Sequence, residues 1–157
     1  MTKLSKYEQL ALGIEIATQA HKGQFDKGGK PYILHPLHVM NQLMYDIQLA
    51  TIGVMHDVVE DSSWTIEQLL VAGFSSRVCN ALDVLTHDPK DDYLTVYIPR
   101  IALHLDTIRV KRIDLNQNSC ITRLKSDTVS DKDIARVVKY HKAYIMLGKA
   151  RKNFERR

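Results

Sequence analysis

Ile52-Gly-Val-Met-His-Asp-Val-Val-Glu-Asp61 is the stretch whose reading decides the fold. Ile52, Met55 and Val59 recur at i, i+3 and i+7, the spacing of a buried helix face. The end of the same stretch carries His56, Asp57, Glu60 and Asp61. On one helix His56 and Glu60 share a face, with Asp57 and Asp61 in a parallel row beside them. Three carboxylates and an imidazole beside apolar residues repel and desolvate one another unless a cation or a substrate compensates. The bland alternative is a helix end that turns to solvent, with Asp61-Ser62-Ser63 as its exit loop.

On the N-terminal side, Ser5 and Glu8 match a capping box. Tyr7, Leu10, Ala11, Ile14 and Ala17 then keep helical spacing to about Lys22. His21 to His35 is a polar, glycine-rich loop, and Pro36 suits the first turn of a second helix with His35 at its mouth. Leu37, Met40, Leu43, Met44 and Ile47 continue that helix up to a short turn before the central one.

On the C-terminal side, Thr65 and Gln68 form a second capping box, with Trp64 and Leu69 placed as a hydrophobic staple. Val78, Ala81, Leu82 and Leu85 mark a helix ending near Thr86. Tyr93, Val96 and Tyr97 start another, which Pro99 must kink or divide. Asp106 can cap a helix with Lys111, Asp114 and Asn118 on one face, and Asp131 opens a last helix through Ile134, Val137, Val138, His141, Tyr144 and Ile145. No period-two alternation is sustained, so the expected fold is all-α: one irregular bundle of some seven to nine helices.

The 157 residues are 45% hydrophobic and 25% charged, a globular composition of single-domain length. No run approaches a membrane span, Met1 to Ser5 opens no apolar leader, and Cys79 and Cys120 lack metal spacing, so a cytoplasmic protein is expected. The net charge of +4 sits entirely in Lys149–Arg157, which holds five basic residues and one Glu. A neutral body with a basic end does not suggest a nucleic-acid partner; it reads as a solvated helix end. Residues 1–148 are expected to form the domain and 149–157 a basic tail.

His35, His56, Asp57 and Asp114 come from three different helices, each at or beside a face that carries apolar residues. Two imidazoles and two carboxylates make a mixed N/O site with open coordination positions, suited to Mn²⁺, Fe²⁺ or Zn²⁺ rather than to a closed thiolate zinc site. The order His…His-Asp…Asp resembles the HD superfamily of metal-dependent phosphohydrolases. The strings His21-x-Gly-Gln, Pro-Tyr-Ile-x-His-Pro, His56-Asp-x-Val-Glu-Asp-Ser and Lys111-x-x-Asp-x-x-x-Asn118 further resemble the hydrolase domain of RelA/SpoT homologues, from about residue 5 to about 147.

That resemblance implies an HD-type helical bundle and a free-standing small alarmone hydrolase. It implies Mn²⁺ on His35, His56, Asp57 and Asp114, with Glu60 and Asp61 activating water against the 3′-pyrophosphate of a ppGpp-like nucleotide. It also implies substrate contacts from Lys27, Tyr32, Lys111 and Asn118, and places Tyr93, Tyr97 and Arg100 where substrate-contacting residues tend to lie. One position departs: the family's base-stacking Arg corresponds here to Asp26, followed by Lys27. An Asp cannot stack as a guanidinium does. Asp26→Arg is therefore expected to tighten binding of the guanine nucleotide. His38, His87, His104 and His141 have no matching partners and read as surface or core histidines, and His21 as packing or pocket wall. Other HD-type reactions on ppApp, NADPH or a nucleoside monophosphate, and a non-catalytic nucleotide sensor, are the competing functions.

Overall fold

In a computed structural model, which describes residues 4–124 and 129–156, the most deeply buried helix is α3 (Ile47–Met55). Every residue from Leu49 to Met55 is buried, as a helix apolar all round must be. Helices α1 (Lys6–Ala20) and α2 (Leu34–Asn41) lie on it, and α6 (Ser76–Leu85) and α8 (Leu105–Asn118) pack from other sides. The last helix, α9 (Asp131–Glu155), runs along α8. Short pieces join these: α4 (Val58–Asp61), α5 (Ile66–Val71), a π-helical turn at Tyr93–Tyr97 and α7 (Ile98–Ile101). The all-α expectation holds, with nine α-helices among the described residues.

Both sequence-predicted capping boxes form, at Ser5/Glu8 and Thr65/Gln68, and a third forms at Ser130/Asp133. Each satisfies two backbone N–H groups at a helix start. Pro99 sits in the first turn of α7, directly after the π-helical turn, so the division expected there is real.

Four local expectations need correction. First, the stretch 52–61 is two helices, because α3 stops at Met55 and α4 starts at Val58. His56 Nδ1 lies 2.7 Å from the Gly53 carbonyl, the acceptor that Asp57 N–H would use in an unbroken helix. Second, α2 ends at Asn41, since Asp46 takes its carboxylate to the N–H groups of Gln48 and Leu49 and starts α3 afresh. Third, α1 buries Leu10, Gly13, Ile16 and Ala17, while Tyr7 and Ala11 face out. Gly13 lets α1 approach Met55, whose Sδ would stand 3.1 Å from a Cβ there. Fourth, Asp106 lies inside the first turn of α8 and binds Arg77 Nε at 2.6 Å instead of capping.

Helix α9 turns Ala143 and Leu147 inward, while Ile134, Val138 and Ile145 from the expected stripe are exposed. It runs unbroken past Lys149, and Ala150 and Phe154 still pack against the core. No helix among the described residues is long and apolar enough to cross a membrane.

Gly53 marks a close crossing of α3 with α2. A Cβ there would meet Leu43 Cδ1 at 2.9 Å and the Met40 backbone at 3.3 Å. Gly53→Ala gains about 1 kcal/mol of helix propensity, and overpacking costs about 1–3 kcal/mol. The expected result is a net loss of ~1 kcal/mol, read as a Tm lower by about 2–4 °C. A calorimetric Tm at or above the parent's would show that α2 gives way freely.

Candidate active site

The break between α3 and α4 places His56 and Asp57 at the middle of the molecule, facing His35 from α2 and Asp114 from α8. His35 Nε2 lies 3.1 Å from Asp114 Oδ1 and 3.8 Å from Asp57 Oδ2. His56 Nε2 lies 3.1 Å from Asp57 Oδ2 and 3.7 Å from Asp114 Oδ1. One ligand atom from each of His35, His56 and Asp57 falls within a 4.8 Å cluster.

The outer side of each imidazole is already committed. His56 Nδ1 donates to the Gly53 carbonyl, and His35 Nδ1 to the side-chain oxygen of Gln117. Holding the proton on Nδ1 leaves the Nε2 lone pairs aimed inward, where neither buried nitrogen has a hydrogen-bond partner. Burial opposes charge on His56, yet Asp57 and Asp114 outweigh it and push its pKa up to about 10. The cluster of His35, His56 and Asp57 could hold a divalent ion through nitrogen and oxygen, with Asp114 facing both imidazoles beside it.

Around this centre the neighbours hold the carboxylates. Tyr32 Oη donates to Asp57 Oδ2 at 2.6 Å, and burial followed by the Asp57 charge keeps that phenol protonated. Lys111 Nζ pairs with Asp114 Oδ2 at 2.8 Å, and Asn118 Nδ2 donates to Asp114 Oδ1. Lys111 and Asn118, expected at the substrate, therefore spend their first contacts on Asp114.

Glu60 and Asp61, at the end of α4, stand at the exposed rim of a cavity of about 290 Å³. Its walls include Asp57, Lys111, Asp114, Lys139 and the rings of Tyr93 and Tyr97. Incomplete hydration first, and the Asp57 charge with it, raise the pKa of both rim carboxyls. Glu60 Oε2 accepts from the His87 backbone N–H at 3.2 Å. His87 was expected to be unconnected to the site, yet it lines this cavity; His38, His104 and His141 are exposed, away from it. Arg100 turns from the cavity to pair with Asp91 at 2.9 Å and to bond the Thr86 carbonyl.

A second cavity, of about 280 Å³, shares Tyr32, Asn118 and Tyr140 with the first. It is lined by Phe25, Asp26 and Lys27 from the loop and by Arg123 and Leu124 beyond α8. Lys27 is mostly exposed and lies 3.7 Å from Asp133. Asp26 has a structural task. Its Oδ1 accepts from the backbone N–H groups of Gly28 and Lys30, both at 2.9 Å, and its Oδ2 pairs with Arg123 Nη2 at 2.9 Å. Burial works against the charged carboxyl, but these donors win and hold its pKa down. An Arg at 26 would undo the turn and face a second guanidinium, so the expected gain from Asp26→Arg reverses to a loss.

Motif reasoning passed over Gln117, Lys139, Tyr140 and Arg123. Gln117 had a signal: it follows Asp114 by three and so shares its helix face. Lys139 and Tyr140 belong to no motif and reach the site only through the packing of α9 on α8.

No family model matches the chain. Among curated proteins it is 35% identical over 80 residues to a guanosine-3′,5′-bis(diphosphate) 3′-pyrophosphohydrolase of Borreliella burgdorferi, covering 48% of this chain and 12% of that protein. A protein of the same name from Haemophilus influenzae is 46% identical over 57 residues, 34% of this chain and 8% of its own length. A GTP pyrophosphokinase of Myxococcus xanthus is 36% identical over 73 residues, 45% of this chain and 10% of that protein. Over half of its length or less, the chain is thus similar to proteins named as ppGpp 3′-pyrophosphohydrolases and as a GTP pyrophosphokinase. The shared stretch spans only about a tenth of each of these relatives. A solved structure described as a metazoan ortholog of SpoT that hydrolyzes ppGpp matches along 98% of both chains, with a TM-score of 0.68 and 19% identity. The fold is therefore shared from end to end.

Proposed function

We propose that this chain hydrolyses the 3′-pyrophosphate of a ppGpp-like nucleotide, releasing pyrophosphate and GDP or GTP. The observation that carries this is the pair of buried Nε2 atoms, unpartnered among the described residues, that face Asp57 and Asp114, the two carboxylates lining a cavity with Glu60 and Asp61 at its rim. His35, His56, Asp57 and Asp114 would hold the divalent ion; their nitrogen and oxygen donors without thiolate suit Mn²⁺, Fe²⁺ or Zn²⁺, and Mn²⁺ is proposed because the RelA/SpoT resemblance implies it. Such an ion neutralises phosphoryl oxygens and lowers the pKa of water. Glu60 accepts the proton of the attacking water, and Asp61 beside it orients that water. Lys139 at the same cavity meets the pyrophosphate, Tyr32 keeps Asp57 in place, and Lys111 and Asn118 do the same for Asp114. A cytoplasmic setting belongs to this reading, since the substrate is a nucleotide and Cys79 and Cys120 are both free thiols.

The test is a panel of ppGpp, ppApp, NADPH and GMP with Mn²⁺, products resolved by chromatography. Pyrophosphate release from ppGpp is the expected result. Orthophosphate release from NADPH or GMP, with ppGpp untouched, would point to a different phosphatase.

Chelation gives a separate prediction. The apolar core draws side chains from all nine helices, so the bundle has many contacts besides those of the ligands. Removing metal should stop hydrolysis while most helical circular dichroism persists, and Mn²⁺ should restore turnover. Hydrolysis that survives exhaustive chelation, with metal absent by elemental analysis, contradicts the proposal.

A further inference from the structure

The cavity on the loop side of Tyr32 takes no part in the chemistry above, yet it holds a planar cation fixed in an unusual way. We propose that Arg123 stacks its guanidinium face on the base of the nucleotide, and that Asp26 is the residue that positions it. This rests on the hydrolase reading.

Arg123 is three-quarters buried, and its edge is already spent: Nη2 donates to Asp26 Oδ2 at 2.9 Å and Nη1 to the Gln117 carbonyl at 3.3 Å. A guanidinium gripped along its edge still offers its flat face, where aromatic rings bind by stacking and cation–π attraction. Phe25 lines the same cavity with 66% of its surface exposed, on a loop closed by a bridge between Phe25 and Pro31. Apolar surface this open beside a held cation suits a heteroaromatic ring. Tyr32, Asn118 and Tyr140 form the wall between this cavity and the one holding Glu60 and Lys139. A nucleotide can therefore set its base on one side and its 3′ phosphates on the other.

The geometry also fixes what kind of recognition this is. Edge donors distinguish guanine from adenine, but a stacking face does not, because every base has one. With both Nη groups engaged, the Arg123 face serves guanine and adenine alike.

The experiment is steady-state kinetics with Mn²⁺ on ppGpp and its adenine counterpart, together with calorimetric titration of GDP and ADP into metal-free protein. The two substrates should give KM values within roughly three-fold, the range that follows when only stacking contributes. Arg123→Ala should raise both KM values and both product Kd values together by roughly two- to thirty-fold, the worth of one cation–π contact. Its kcat should change far less. Arg123→Lys should not restore binding, since an ammonium cannot stack as a plane. Asp26→Arg and Arg123→Asp should each weaken binding, and the double variant D26R/R123D should recover part of the loss by rebuilding the pair in reverse. That recovery distinguishes positioning from mere loop stability.

Unchanged KM and product Kd in Arg123→Ala would overturn the inference while leaving the hydrolase intact. A wild-type preference for guanine beyond about thirty-fold would overturn face-only recognition, since one such contact cannot supply it. Absence of pyrophosphate release from every nucleotide sinks the hydrolase reading instead, and GDP titration of the Arg123 variant then still decides whether the ring site exists.

Discussion

Asp57→Asn should empty the metal site and stop turnover together, lowering kcat by roughly 10³-fold, the worth of the several kcal/mol of charge stabilisation a metal supplies. Asp57, like Asp114, faces both imidazoles: its Oδ2 is near His35 Nε2 and His56 Nε2, and it accepts from Tyr32. An amide keeps the volume and one acceptor but removes the charge that draws the cation. Helical circular dichroism should remain, because the side chain packs in no apolar contact of the core. Elemental analysis of the purified variant and ppGpp turnover under saturating Mn²⁺ check both halves. A variant that keeps its metal and loses only rate would move Asp57 from ligand to catalyst.

Glu60→Gln should behave in the opposite way, keeping the metal and losing kcat by about 10²-fold or more, the range of general base catalysis. Glu60 stands at the rim, outside the ligand cluster, and its one hydrogen bond is to the His87 N–H. The pH dependence follows from the direction of its shift. A general base works deprotonated, and the Glu60 pKa is raised above 4.5, so the acid limb of kcat should lie above the ordinary glutamate range. The rate falls as pH drops through that limb. In the Gln variant this limb should weaken and leave only the contribution of Asp61, whose pKa is raised too. Equal metal loss in Glu60→Gln and Asp57→Asn would show that the two residues share one role.

The sequence made the helices legible where their signals were local. Ser5/Glu8 and Thr65/Gln68 each cap a helix within four residues, and both boxes form as read. His35, His56, Asp57 and Asp114, read as one set from their residue types, do come together, with the Lys111 ammonium beside Asp114. What was hidden depended on contacts far apart in the chain. The break at His56 arises from a side chain competing for a backbone carbonyl, which apolar periodicity does not register. Asp26 looked like a loss at a base-binding position because its partner, Arg123, lies 97 residues away. The burial face of α9 is set by the groove of α8, and Ile134 and Val138, apolar in sequence, end outside it.

The wall of Tyr32, Asn118 and Tyr140 between the two cavities turns the site into a measuring device. A ligand anchored by its ring on one side reaches the carboxylate rim only if its phosphorus hangs at the matching distance and from the matching ribose carbon. Selection then falls on span and attachment point, and the identity of the ring becomes secondary. Enlarging or shrinking that wall at Tyr140, which holds neither Asp57 nor Asp114, would retune which phosphate ester is cut.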